Sequence, residues 1–208
     1  MPRARTTTRL PTADRRDEIV RAARKLFAER GYDGTSIEDI GAAVGLTGPA
    51  LYRHFKNKPT LFVATFAGAD EISEAAIALA VGQDAEEAMQ TILRLEATVA
   101  VTHREAMLIW QRERNRMPRR TRRENADRRE RLYARMEQCL SDIRPDLDED
   151  EVAELRNVLT SIALGAADQQ SVLADSDRID FMVAAGWTLI RGARRSGAAG
   201  IGVSGARR

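Results

Sequence analysis

Residues 35–55, TSIEDIGAAVGLTGPALYRHF, admit few backbones. Thr35 with Glu38 and Ser36 with Asp39 form two overlapping capping boxes, which predict a helix starting at this point. Ile37, Ile40 and Val44 then share one face. Gly45 stands where a chain needs positive φ to leave a helix and turn sharply, and Leu46 is placed to fill the corner. Thr47 is a suitable N-cap for a second helix, with Pro49 in its first turn, where a missing N–H costs nothing. Leu51 and Phe55 are expected to face inward. Gly48, Pro49, Tyr52, Arg53 and Lys56 are left pointing outward, with His54 at the margin. A helix of this size fits the major groove of DNA, so the pattern reads as a helix-turn-helix.

Charge distribution agrees with that reading. The whole chain of 208 residues has a formal net charge of only +2, yet residues 1–60 hold 12 Lys/Arg against 7 Asp/Glu, and residues 61–208 hold 21 against 24. Positive charge therefore sits with the helix-turn-helix, where neutralising phosphates releases counterions. The rest of the composition bounds the class. Hydrophobic content of 43% is ample for a core, and period-2 alternation is absent, so the predicted class is all-α.

The stretch from Gly34 to Phe62, with Leu51-Tyr52-Arg53-His54-Phe55 and the following Lys58, resembles the tetracycline-repressor (TetR) family of regulators. The resemblance implies an N-terminal three-helix DNA-binding domain, a larger helical domain for ligand binding and dimerisation, and about nine helices. It also implies that Lys58, Tyr52, Thr47 and the amides of the helix starting at Ser36 clamp phosphates. With Thr35, Gly48, Pro49, Ala50, His54 and Lys56, these are the candidate DNA-binding residues. Gly48, Pro49 and Ala50 offer apolar contact to thymine methyls, Arg53 is the candidate for guanine, and Tyr52 and His54 suit phosphate or sugar.

The expected boundaries are a basic arm at 1–12, the DNA-binding domain at 13–57, the helical domain at 58–195 and a loose tail at 196–208. Arg3, Arg5 and Arg9 of the arm suit either an adjacent minor groove or plain solvation. A scaffold helix from Ala13 or Asp14 to Arg30 carries Ile19, Ala22, Ala23, Leu26 and Phe27 and stops at Gly31. Asn57 caps a helix expected to run unbroken from Lys58 to Val81. Asp84 opens the next helix, and helices over 104–116 and 121–143 follow. Asp148 with Glu151 announces the penultimate helix, and the last begins near Asp175.

The regulatory half resembles the family only in size and helical pattern. Bulky apolar residues of its middle helices, Phe66, Met89, Leu93, Met107, Trp110, Leu132, Tyr133 and Met136, serve equally as core or as the lining of a ligand pocket. Eleven arginines between Arg112 and Arg135 face only Glu113, Glu124, Asp127 and Glu130. They read either as a solvated face with i,i+4 pairs or as a site for an anion such as an acyl-coenzyme A. In the family resembled, the last two helices meet their symmetry mates. The candidate dimer residues are therefore Leu155, Leu159, Ile162, Ala166, Val183, Gly186, Trp187 and Ile190, with internal packing as the alternative.

The function these readings imply is a ligand-responsive dimeric regulator, a repressor of a palindromic operator released by a small molecule. A helical protein-interaction module and an all-α enzyme are the competing classes. The enzyme fares badly, because His54 and His103 are the only histidines, Cys139 is the only cysteine, and no metal, nucleophile or cofactor signature appears. No apolar run reaches the length of a membrane span, and the expected location is the cytoplasm.

Overall fold

The computed structural model describes residues 12–193, so the arginines of the arm and the tail from Ser196 lie outside the described residues. All regular structure within them is helical: ten α-helices and one 3-10 turn. The chain divides into two units. The first runs to Asp70 and takes in Glu105–Glu124; the second holds Glu71–Arg104 and the chain from Asn125 onward.

In the first unit, α1 (Thr12–Arg30), α2 (Ile37–Ala43), α3 (Gly48–Tyr52) and α4 (Lys58–Ala64) close around Ile19, Phe27, Ile40, Leu51, Phe55 and Leu61, all essentially without solvent contact. The predicted three-helix core is present, but the unit does not stop at residue 57. Phe62 is fully buried, with its ring 5.2 Å edge-on from Phe27, 4.8 Å from Tyr32 and 5.4 Å from Phe66. That aromatic cluster ties α4 and Phe66 to α1. Later in the chain, α7 (Arg104–Glu113) and the 3-10 turn Arg114–Arg116 join the same unit.

The helix expected over 58–81 is broken between α4 and α5 (Ala67–Leu79). At the break the backbone tightens: Thr65 and Phe66 donate to Phe62 and Val63, three residues back. The buried Thr65 hydroxyl donates to the Phe62 carbonyl at 2.6 Å, and Arg24 Nε of α1 donates to the Thr65 carbonyl at 2.8 Å. Side-chain competition for backbone groups, with Arg24 satisfying the carbonyl released, explains the interruption.

The second unit packs α6 (Ala85–Thr102) against α10 (Asp175–Gly192) and α9 (Glu149–Asp168). Met89, Ile92, Leu132, Met136, Leu140, Val152, Leu155, Leu159 and Ile190 form its core; Leu132, Met136 and Leu140 come from α8 (Arg119–Ile143). Cys139 is wholly buried there, and burial pushes its thiol up, as suits a small hydrophobe. The helix starts read from sequence recur: Asp84 accepts from the Glu87 amide at 2.9 Å, and Asp148 and Glu151 exchange bonds in a complete capping box. No described helix is long and apolar enough to cross a membrane.

Candidate nucleic-acid interface

The turn between α2 and α3 is fixed by backbone bonds and two glycines. Leu46 N donates to the Gly41 carbonyl at 2.8 Å, and Gly45 adopts φ +66°. A Cβ on Gly41 would lie 2.7 Å from the Leu46 carbonyl oxygen, so only glycine lets the chain return this closely over α2.

Ser36 caps α2. Its hydroxyl accepts from the Asp39 amide at 3.0 Å, while Asp39 Oδ2 accepts from the Ser36 amide at 2.9 Å and hydroxyl at 2.6 Å. The Ser36 hydroxyl, then the Ser36 amide, hold the Asp39 carboxyl below its usual value. Thr35 does not form the second box. It is completely buried, and its hydroxyl donates toward the carbonyls of Leu26 at 3.2 Å and Gly31 at 2.9 Å, closing the α1–α2 corner. As a candidate DNA contact Thr35 is therefore withdrawn: its one proton is engaged and solvent does not reach it.

Thr47 has the extended backbone of an N-cap, but its side chain makes no capping bond and stands exposed. Pro49, Tyr52, Arg53 and Lys56 are exposed, Tyr52 by half of its surface, while Gly48, Ala50 and His54 are partly buried. Leu51 and Phe55 face inward as expected. No partner for the Arg53 or Lys56 side chain occurs among the described residues. The protein thus presents a hydroxyl, a phenol, a guanidinium and an ammonium at the end of a short helix whose inner face is locked, a set able to donate to phosphates and base edges.

Lys58 behaves differently from expectation. Its ammonium lies 4.1 Å above the Tyr32 ring, a cation–π contact that holds it back from free solvent. The corner around Tyr32 is held from α7 and the 3-10 turn: the Tyr32 amide donates to Glu113 Oε1 at 3.3 Å, Arg116 pairs with Asp33, and Arg112 donates to the Ala28 carbonyl at 3.5 Å. From α1, Arg16 donates to the His54 carbonyl at 2.8 Å and stacks 4.0 Å over Phe55, and Arg15 reaches the Val44 carbonyl at 3.3 Å. Tyr32 packs back on α1 as its place after Gly31 suggests, stacked 5.7 Å from Phe27; sequence reasoning missed Arg15, Arg16, Glu113 and Arg116, and no local signal marks them, since their partners lie 29 to 83 positions away.

The candidate pocket set is dispersed. Phe66, Met107 and Trp110 belong to the first unit, Phe66 within the aromatic cluster. Met89, Leu132 and Met136 are core residues of the second unit, and Tyr133 lies beneath the Arg156 guanidinium at 4.6 Å. Only Leu93 and Met136 of the eight border a cavity described below.

The arginine-rich stretch is largely engaged. Arg128 and Arg131 both grip Glu74, at 2.9 and 2.8 Å, and hold its carboxyl below the usual range; Arg120 pairs with Glu124, and Arg135 donates to the Ala80 and Gln83 carbonyls. Arg114, Arg119, Arg122 and Arg123 are exposed, with no side-chain partner among the described residues.

Five of the candidate dimer residues, Leu155, Leu159, Val183, Gly186 and Ile190, are buried within one chain, and the Trp187 indole donates to Gln90. Their faces are occupied by α6 and α8. The apolar residues left open on these helices are Val158 and Ile162 of α9 and Phe181 of α10, beside the small exposed residues Ser161, Gly165 and Ala184.

Residues 19–65 match the family model described as bacterial regulatory proteins, tetR family. Over 56 residues the chain is 38% identical to the transcriptional activator FasR of Mycolicibacterium smegmatis, covering 27% of this chain and 26% of FasR. Over 46 residues it is 44% identical to the transcriptional repressor KstR2 of the same organism, covering 22% of each. These matches span only about a quarter of the relatives' length. Solved structures extend the likeness in fold. The ketosteroid transcriptional regulator KstR2 of Mycobacterium tuberculosis superposes with a TM-score of 0.74 at 21% identity, covering 86% of this chain and 94% of that one. AibR in complex with isovaleryl coenzyme A and operator DNA gives 0.66 at 22% identity, covering 82% and 97%. A helix-turn-helix closed by Gly41 and Gly45, with the family model laid over that same head, makes residues 19–65 a DNA-binding domain of the tetR type, and the solved structures show the same helical fold along most of the chain.

Proposed function

We propose that the chain is a ligand-responsive, homodimeric regulator that occupies a palindromic operator without ligand, represses there, and is released by a small molecule. The observation that carries the DNA-binding part is the outward set Thr47, Tyr52, Arg53 and Lys56, solvent-exposed on a head braced from behind by Arg15, Arg16 and Thr35. Arg53 reads guanine; Thr47, Tyr52 and Lys56 hold the backbone on either side. Two heads are needed to span two half-sites, and the open stripe of Val158, Ile162 and Phe181 is the surface that a second copy covers.

Release works through α7. While Glu113 and Arg116 hold the Tyr32 corner, Lys58 rests on the Tyr32 ring; moving α7 would free or misplace both. AibR is a solved case with an acyl-coenzyme A bound, and Arg114, Arg119, Arg122 and Arg123 are the groups here that an anionic inducer would use. The test is selection of genomic fragments by the purified protein, followed by footprinting and a salt titration. The expected result is a protected inverted repeat whose affinity falls steeply with salt. Equal affinity for all sequences, or none at low salt, would refute operator recognition by the free protein, and a reporter assay decides between repression and activation.

A further inference from the structure

The second unit contains one cavity whose chemistry is unbalanced. Its walls are apolar, with Leu93 and Ala97 of α6, Met136 of α8, Leu159 and Ile162 of α9 and Met182 of α10, and the Glu96 carboxyl stands among them. The only partner of that carboxyl among the described residues is the Ser73 hydroxyl of α5, at 3.5 Å, the outer limit of a hydrogen bond. No cation acts on it: burial and the Ser73 hydroxyl are the influences on this carboxyl, and Arg94 is paired with Asp180 at 2.8 Å, Arg156 with Glu137 at 3.0 Å, and Arg128 and Arg131 with Glu74. The Thr160 hydroxyl, which also borders the cavity, already donates toward the Arg156 and Asn157 carbonyls. Burial pushes the Glu96 carboxyl up to about 7. A carboxylate placed in apolar surroundings without a cation is costly, and proteins keep such groups where a ligand or a reaction supplies the missing charge.

Resting on the regulator reading above, we propose that this cavity is the inducer site and that its ligand is a small apolar molecule bearing one ammonium group, with Glu96 as the counter-ion. The tail of such a ligand lies along the aliphatic wall while its ammonium donates to Glu96 and to Ser73 Oγ. The cavity is about 30 Å³ as it stands, enough for a water, so the ligand enlarges it. Met136 and Met182 are the means, because their unbranched thioethers can change rotamer at small cost. An acyl-coenzyme A or a fatty acid would bring a second negative group to the Glu96 carboxyl and is disfavoured here.

The probes are the n-alkylammonium series from butyl to octyl, the matching alcohols and the matching carboxylates, with isovaleryl coenzyme A alongside. They are titrated calorimetrically at pH 8 into the full chain without DNA. The best ammonium is expected to bind about tenfold or more tightly than its alcohol, the size of a charge-assisted hydrogen bond, and the carboxylates are expected not to bind. Glu96→Gln, nearly isosteric, should remove that preference while leaving alcohol affinity within about threefold. Leu93→Trp, which fills the void, should weaken ammonium and alcohol alike. Ammonium and alcohol binding equally, a preference that survives in Glu96→Gln, no member of the series binding, or coenzyme A thioester binding in place of ammonium would each overturn the proposal. Because binding is read without DNA, a failed operator search leaves the ammonium site standing, whereas ammonium binding that does not release operator DNA would overturn the cavity's role as the inducer site.

Discussion

Glu96→Gln should also change how stability depends on pH, and by a calculable amount. Glu96 in the folded chain titrates near 7 against an ordinary value of 4.5. The folded state therefore holds this proton longer than the unfolded state does. Stability from the neutral carboxyl is complete below about 4.5, falls as pH rises, and is lost above about 7. Ionising a carboxyl raised this far costs the folded state ~3 kcal/mol, a ceiling because water at the cavity mouth reaches part of the side chain. A glutamine amide at this position cannot ionise and keeps the contact to Ser73, so the variant escapes the loss. The variant should melt only ~2–3 °C above wild type at pH 5, where about 0.8 kcal/mol is already lost, and ~6–12 °C above it at pH 8, taking about 2–4 °C per kcal/mol for a chain of this size. The assay is thermal unfolding followed by circular dichroism from pH 5 to 8.5 at one protein concentration, since any self-association would link melting to concentration. Asp39 and Glu74, whose carboxyls are lowered by their partners, act below pH 5 and equally in both proteins. A difference that is flat across this range would refute the argument that Glu96 is buried without a counter-ion.

Other perturbations follow from the same contacts. Thr35→Val should destabilise the head by about 1–3 kcal/mol, read by urea unfolding, because the Leu26 and Gly31 carbonyls lose a buried donor. Arg53→Ala should cost about 1–3 kcal/mol on operator DNA and little on random DNA, whereas Lys56→Ala should weaken both and lower the salt slope by about 1; matching effects of the two would contradict the assigned roles. Phe181→Asp should yield monomer at micromolar concentration in sedimentation velocity with helical content unchanged, and a persistent dimer would remove the α9–α10 stripe from consideration. Glu113→Ala, which takes the acceptor from the Tyr32 amide, should leave ligand affinity intact but shrink the ligand's effect on operator affinity; an unchanged effect would exclude α7 as the link.

What the sequence made legible was local. Ser36 with Asp39, Asp84 before Glu87, Asp148 with Glu151, and Gly45 at positive φ are each decided by residues within about one turn, so reading them needed no knowledge of the rest of the chain. Thr35 shows the limit: it carries the same capping signal as Ser36, and the choice between them was made by two carbonyls that only the packed corner brings together. The break at Thr65 has the same origin, since Arg24 rewards the open carbonyl from 41 residues away. Periodicity found the apolar faces of α9 and α10 but could not say which was already covered. Leu155 and Leu159 and their exposed neighbours Val158 and Ile162 lie a fraction of a turn apart, and the difference between core and open surface is whether the rest of the unit's core reaches them.

The contacts that sequence did not show are the ones the proposed release requires. A head that only bound DNA would be complete with α1 to α4, whose core is sealed by Phe27, Leu51, Phe55 and Phe62. Yet Glu113, Arg116 and Arg112, of a segment 81 to 84 positions downstream, attach to the outer corner of that head at Tyr32, Asp33 and Ala28. They add little to a core already closed, since exposed ion pairs contribute at most about 1 kcal/mol. Their placement matters more than their strength: Glu113 grips the residue on which Lys58 rests while Arg116 and Arg112 hold Asp33 and Ala28 around it, and the chain that carries them follows α6, the helix of Glu96, after a single residue, His103. For the release proposed above, weak contacts at such a point suit two states of similar energy, because it would need a coupling of only about 1–3 kcal/mol, roughly 5- to 150-fold in affinity. Under that proposal, a stronger corner would hold the head in one state with or without ligand.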